Sequence, residues 1–361
     1  MPDHAPSRRG VVVGLLAVVV VGAVVWGIFT VTRSSNPTPS GPRPMLQGLV
    51  VIGGELPAQV DSAIGGLAVS VPWRDLQPTR DGGISGQNAI ESAVASVRQY
   101  NQDNGTDLGV KIRVLAGEQS PKWVIDEAGS VTLQLGNRTI AARSAVVPRY
   151  WTSTFEASFA RLQSLLAARY DGVAEVREVA IARCMTIFAE PFMRQIRTSE
   201  NIRALRQAGL DASTDAACLE SQTDAYSSWQ HVRLGLAVNP YVTFDDAGRM
   251  VSAPDVVDVS IRRCRAVFGT RCVLENNSIR TPMLDGDYPA LYSTMRRFGP
   301  PLAFQTAGPK LVGSMADTLA WAASLGASYV EVVPNAVRHV DPSRLSTIAD
   351  QLGRNAALVN P

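Results

Sequence analysis

The sequence predicts an α/β protein, a (β/α)8 TIM barrel preceded by a single transmembrane helix. Three observations carry that expectation. Eight short runs rich in Val, Ile, Leu and Ala recur along the chain, amphipathic stretches separate them, and one long uncharged apolar segment precedes them all. The runs lie at 46–54, 66–73, 109–117, 178–185, 232–240, 271–277, 301–308 and 327–334. Strands apolar on both faces and alternating with helices belong to a parallel sheet. Eight of them in one domain close into a barrel more readily than they line up in an open sheet. An open doubly wound sheet is the alternative, but no GxGxxG follows any run.

The helical stretches show their period. "NAIESAVASVRQY" (88–100) puts Ile90, Val94 and Val97 on one face, and "STFEASFARLQSLLAARY" (153–170) repeats Phe155, Phe159, Leu162 and Leu166. Residues 253–269 and 314–326 behave likewise, the latter ending in a glycine stop at Gly326.

The segment 11–31, "VVVGLLAVVVVGAVVWGIFTV", contains no charge. At about 1.5 Å rise per residue it spans roughly 30 Å, the thickness of a bilayer core. Arg8 and Arg9 precede it, which keeps residues 1–10 in the cytoplasm and sends the remainder outside. A cleaved signal peptide is the rival, although such segments are shorter and end in a small-residue cleavage site. Residues 32–45 are rich in Ser, Pro and Gly and read as a linker, leaving 46–361 for the barrel.

Composition narrows the function. The 361 residues are 46% hydrophobic and 18% charged with a net charge of +2, which offers no basic surface for nucleic acid. Lysine occurs only at Lys111, Lys122 and Lys310. Four cysteines in an exported domain suggest two disulfides, and sequence proximity favours Cys184–Cys218 with Cys264–Cys272 among three possible pairings. Their spacing fits no zinc knuckle and no HExxH occurs, so neither a metal nor another cofactor is expected.

A barrel of this kind carries its site on the loops that follow its strands. Asp75, Glu118, Glu190, Asn239, Glu275, Asn276, Gln305, Glu331 and Asn335 fall there. Glu275 and Glu331 should face the lumen or its rim, because a carboxylate turned toward the apolar outer helices is costly. With Glu190 they form a set of carboxylates suited to glycosidic bond cleavage, where one protonates the leaving oxygen and another attacks or activates water. The competing role for Glu275 and Glu331 is a buried ion pair with Arg113 or Arg183. Trp73, Trp123, Tyr150, Trp151 and Tyr241 are available as flat sugar platforms, or simply as packing.

Three stretches carry a resemblance. "VPWRDLQPTRDGGISGQNAIESAV", "VKIRVLAGEQSPKWV" and the run from "YWTSTFEASF" to "CMTIFAEP" resemble the second, third and fourth strand segments of clan A glycoside hydrolases. The resemblance covers roughly residues 66–195 and is only architectural beyond. It implies a (β/α)8 glycoside hydrolase with Glu190 as acid/base and Trp73, Arg113 and Trp123 on the substrate side. Asn276 and Gln305 join them as binding residues at later strand ends. The chain departs from that pattern at Ala189, where the family has Asn, and at Gln305, where it has the nucleophilic glutamate. Glu190 also lies six residues beyond Cys184, which favours a loop over the strand tip. A neutral amide cannot form the glycosyl ester. Either Glu275 or Glu331 supplies the second carboxylate, or the barrel binds sugars as a pseudoenzyme. A structural envelope protein is the third possibility. The expected partners are an oligosaccharide or polysaccharide and, through the N-terminal helix, the membrane.

The anchor has a direct test. The full chain is expected to fractionate with membranes, and a chain starting near Met45 to be soluble. A mature protein released into the medium with a new N-terminus after residue 31 refutes the anchor.

Overall fold

The computed structural model describes residues 41–57, 61–136, 141–283 and 286–360. The expected anchor, 11–31, and most of the linker lie outside the described residues. Eight parallel strands close into a barrel, in the order β1-β12-β11-β10-β7-β6-β3-β2. These are β1 (Gly48–Ile52), β2 (Ile64–Pro72), β3 (Gly109–Leu115), β6 (Val176–Ala180), β7 (Arg233–Ala237), β10 (Cys272–Ile279), β11 (Leu302–Thr306) and β12 (Ala327–Val332). Each falls on one of the eight apolar runs. Two antiparallel hairpins interrupt the alternation: β4 (Ser130–Leu135) with β5 (Arg143–Pro148), and β8 (Val242–Phe244) with β9 (Met250–Ser252). Neither hairpin lies on one of the eight apolar runs. β4 is an alternating strand with Val131, Leu133 and Leu135 buried, a period-2 signal that the eight longer apolar runs overshadow.

Helices Ala89–Asn104, Ser153–Tyr170, Pro254–Phe268, Asp287–Phe298, Met315–Ser324 and Pro342–Ala357 cover the barrel, and the connection from β6 to β7 contains Ser199–Gln207 and Ala212–Ser221. Their starts carry side-chain caps. Asn88 accepts from the backbone N–H of Ile90 and Glu91, Thr152 from Phe155, and Ser314 from Asp317, each offsetting N–H groups that the first turn leaves unpaired. The described residues joining β1 to β2 contain no helix.

Two apolar regions follow from the period-2 alternation of the strands. Val110, Ile112 and Val114 of β3 join the large core between barrel and helices, with Leu234, Leu236, Leu302 and Phe304. A smaller cluster of Leu46, Val50, Ala68, Val273, Ala303 and Tyr329 fills the lower lumen. The last residues of the expected linker close the base. Arg43 is buried, its backbone N–H donates to the carbonyl of His231 at 2.7 Å, and its guanidinium donates to the carbonyl of Asp171 at 2.9 Å. A shortened chain that keeps the base of the barrel is therefore better cut before Gly41 than at Met45.

Both expected disulfides are present, Cys184–Cys218 with Cα atoms 6.0 Å apart and Cys264–Cys272 at 5.8 Å. The second joins the end of helix Pro254–Phe268 to the start of β10. In the loop-entropy model such a short loop contributes about 2–3 kcal/mol. Replacing Cys264 and Cys272 together by Ala is expected to lower unfolding free energy by about that amount in urea titrations. A stability equal to that of wild type would show that the bond constrains nothing.

Candidate functional site

β3 supplies two cations to the lumen. Lys111 and Arg113 sit two residues apart, so both point inward while Val110, Ile112 and Val114 point outward. Lys111 is fully buried, and its Nζ lies 3.0 Å from Glu178, 2.5 Å from Glu275 and 2.8 Å from Glu331. These partners come from β6, β10 and β12, so the ammonium stands in the middle of the barrel. Its Nζ also donates to Tyr329 Oη at 2.9 Å, and that hydroxyl donates to Glu178 at 2.6 Å. Arg113 pairs with the other oxygen of Glu331. Gly235 on β7 makes the space: a Cβ there would collide with the carboxylates of Glu275 and Glu178.

Charge arithmetic decides the protonation. Two cations face three carboxylates, so one negative charge is in excess when all ionise. Burial alone would pull the Lys111 ammonium down, but Glu178, Glu275 and Glu331 more than offset it and hold it above its ordinary value. Burial pushes Glu275 up to about 7; Lys111 opposes this and the Glu178 carboxylate adds to it. Within this cluster Glu275 is the carboxyl pushed furthest toward keeping a proton.

Above this layer is the mouth. A cavity of about 300 Å3 is lined by Ser70, Arg113, Glu118, Glu190, Asn277 and Gln305, with Phe188 on its wall. Glu190 lies on a loop ten residues past Ala180, the last residue of β6. It accepts from Asn239 Nδ2 at 3.0 Å. Burial raises its carboxyl above the ordinary value, against the pull of the Asn239 and Asn277 amides and the Arg113 charge. The other acid of the cavity, Glu118, accepts a double hydrogen bond from the Arg143 guanidinium at 2.6 and 2.7 Å. Gly117 lets the loops meet, since a Cβ there would overlap the carbonyl of Thr186, which accepts from the Glu118 backbone N–H at 3.0 Å.

The Glu190 loop is pinned from behind. The Cys184–Cys218 bond ties its start to helix Ala212–Ser221. Arg194 grips Asp215 of that helix at 2.7 Å and donates to the carbonyl of Cys184 at 2.9 Å and to that of Pro191. Tyr241 and Tyr150 donate to Asp215 as well, at 2.6 and 3.3 Å.

The expected residues separate accordingly. Glu190, Arg113 and Gln305 meet at the mouth. Glu275 and Glu331, 2% and 1% exposed, lie beneath it in ion pairs; Glu331 takes Arg113, the competing role named from the sequence, while the partner of Glu275 is Lys111 and not an arginine. Arg183 is elsewhere, donating to the carbonyl of Cys218 and pairing with Glu156. Asn276 turns toward the helices: it accepts from Tyr292 Oη at 2.9 Å and donates to Asn239 Oδ1 at 3.1 Å, so it orients Asn239 rather than lining the cavity. Trp73 is fully buried among Trp123, Phe155 and Phe159, with ring centroids 5.7–5.8 Å apart, and offers no platform. Trp123 is half-buried and donates to the carbonyl of Gln77 at 3.3 Å. Tyr150 and Tyr241 are buried on Asp215, while Phe188 is 37% exposed at the mouth. Sequence reasoning missed Lys111, Glu178, Tyr329, Asn277 and Phe188. The alternation of β3 contained the signal for Lys111, which shares a face with Arg113.

No family model matches the sequence, and no curated protein matches it. Among solved structures, the catalytic domain of a β-amylase from Paenibacillus polymyxa is similar with a TM-score of 0.51 and 11% identity, covering 88% of this chain and 100% of that one. At that identity the likeness is one of fold alone. A β-galactosidase from the psychrophilic Marinomonas ef1 reaches a TM-score of 0.48 at 12% identity over 84% of this chain and 59% of its own, too loose a match to argue from.

The Glu275 proton gives a pH signature. Between its ordinary value of 4.5 and about 7, the unfolded chain releases a proton that the native state keeps. Stability therefore falls as pH rises through that window, by an amount on the order of 3 kcal/mol. Glu275→Gln, which mimics the protonated acid, is expected to flatten the dependence in unfolding titrations from pH 4.5 to 7.5. The raised carboxyl of Glu190 leaves a residual slope of the same sign, whereas a slope unchanged by the substitution assigns the proton elsewhere.

Proposed function

We propose that this barrel binds a carbohydrate at its mouth and does not cleave it by the two-carboxylate route. The observation that carries this reading is the division of the acids. Glu275 and Glu331 are held under the cavity by Lys111 and Arg113, and β11 presents the amide of Gln305. What lines the cavity is a balanced set of donors and acceptors: Arg113 donates, Glu190 and Glu118 accept, and Asn277 and Gln305 do both. Such a set matches a polyhydroxylated ring, with Phe188 as its apolar face.

A second reading, glycoside hydrolysis, rests on one specific observation: the raised carboxyl of Glu190, as a general acid requires. Glu118 then has to act as its partner despite Arg143. The membrane-anchored, extracytoplasmic location belongs to the same proposal. It is supported by the uncharged segment 11–31 and by the two disulfides, which persist in oxidising compartments.

Glu190→Gln tests both readings, because the amide is nearly isosteric and the fold should survive. Under the binding reading, the full chain binds a sugar from a glycan panel, turns none over, and loses about tenfold or more in affinity on substitution, the worth of a hydrogen bond to a charged group. Under the hydrolase reading, aryl glycosides and oligosaccharides are turned over, and the substitution costs about 10²–10⁴-fold on poor leaving groups. Unfolding of the variant would make Glu190 a structural residue.

A further inference from the structure

Resting on the carbohydrate reading above, we propose that the ligand is an amphiphilic glycoside, with its sugar in the mouth and an apolar aglycone in an adjoining cavity. That second cavity measures about 510 Å3, larger than the mouth. Phe188 lines both, so a group leaving the sugar on that side passes along its ring. Beyond it the walls are Phe192, Met193, Ile196, Val242 and Met250, supplied by the Glu190 loop and the β8–β9 hairpin. Both hairpins flank the helix Ser199–Gln207: Asn201 pairs with the backbone of Gln134 on one side, and Arg206 donates to the carbonyl of Asp246 on the other at 2.6 Å.

Further sugar units would need several inward-facing polar groups, and most of those present are already engaged. Asn201 accepts from the Gln134 N–H at 2.7 Å and donates to its carbonyl at 2.8 Å. Arg194 is committed to Asp215, Thr198 caps the helix through the Asn201 N–H, and the Gln134 side chain accepts from Ser144. Arg197 stands exposed at the rim. Apart from Gln195 and Arg197, the remaining surface is mainly hydrocarbon, and Met250, 55% exposed, gains most by being covered. An apolar substituent removes that surface from water at no cost in hydrogen bonds.

Titration calorimetry on the full chain in lipid nanodiscs, with empty discs as the blank, tests the link. The probes are methyl and butyl glycosides of glucose, galactose and mannose in both anomers, with linear trisaccharides and butanol as controls. Each buried methylene is worth about fourfold in affinity. The butyl form of the preferred sugar is therefore expected to bind tens of fold tighter than the methyl form. Met250→Asp brings the butyl-to-methyl ratio close to one, and Glu190→Gln weakens both forms together. Equal affinity for methyl and butyl forms, or a gain from added sugar units but none from butyl, overturns the aglycone cavity and leaves the carbohydrate reading standing. Butanol binding as tightly as the butyl glycoside overturns the link between the two cavities. Binding of no glycoside and no trisaccharide defeats the carbohydrate reading and the aglycone with it.

Discussion

An ammonium at the centre of the barrel sets the terms for everything above it. The lumen of such a barrel is ordinarily packed with branched apolar side chains. Here one layer is a salt cluster in which Lys111 holds Glu178, Glu275 and Glu331 at 2.5–3.0 Å. Separately, each ion would be prohibitively costly to bury; together they are tolerable because every member has a partner. Removing the lysine would leave Glu178 and Glu275 facing one another, with Arg113 still paired only to Glu331. Gly235 belongs to this device as much as the charged residues do, since its missing side chain is the room that two of the carboxylates occupy.

The cluster also decides what reaches the mouth. Acids tied to Lys111 and Arg113 are drawn down out of the cavity, and the acid that remains free of an ion pair there, Glu190, comes from a loop rather than from a strand tip. A loop can present a carboxylate reproducibly only if something fixes its backbone. The Cys184–Cys218 bond and the Arg194–Asp215 grip do that, with Tyr150 and Tyr241 satisfying the rest of Asp215. A row of polar side chains, Tyr292 to Asn276 to Asn239 to Glu190, completes the support from the helix side. The mouth is thus built by long-range contacts resting on a charged layer.

Aromatic rings illustrate how position overrides type. Trp73 stands next to the end of β2, where a sugar platform would be useful, yet its indole is enclosed by Trp123, Phe155 and Phe159 and serves to dock helix Ser153–Tyr170. Phe188, in a run that resembles core, is the ring left at the opening. Which side of a strand end a ring occupies depends on where the loop turns, and turns within an irregular segment leave no periodic trace.

The sequence by itself determined the barrel: all eight strands, four of the six covering helices and both cysteine pairs were legible, because each is fixed by local pattern or by short separation along the chain, whereas Asp287–Phe298 and Pro342–Ala357 were not read. It also placed Glu275 and Glu331 in the lumen and named Arg113 as a partner, since burial leaves a strand carboxylate few alternatives. Only the tertiary structure decided which acids face solvent. That depends on contacts among residues as far apart as Lys111 and Glu331, brought together when the sheet closes on itself. The two hairpins, the inward position of Asn277 in place of Asn276, and the exposure of Phe188 were decided the same way. A strand's period fixes which residues share a face, but only closure of the barrel fixes what that face meets.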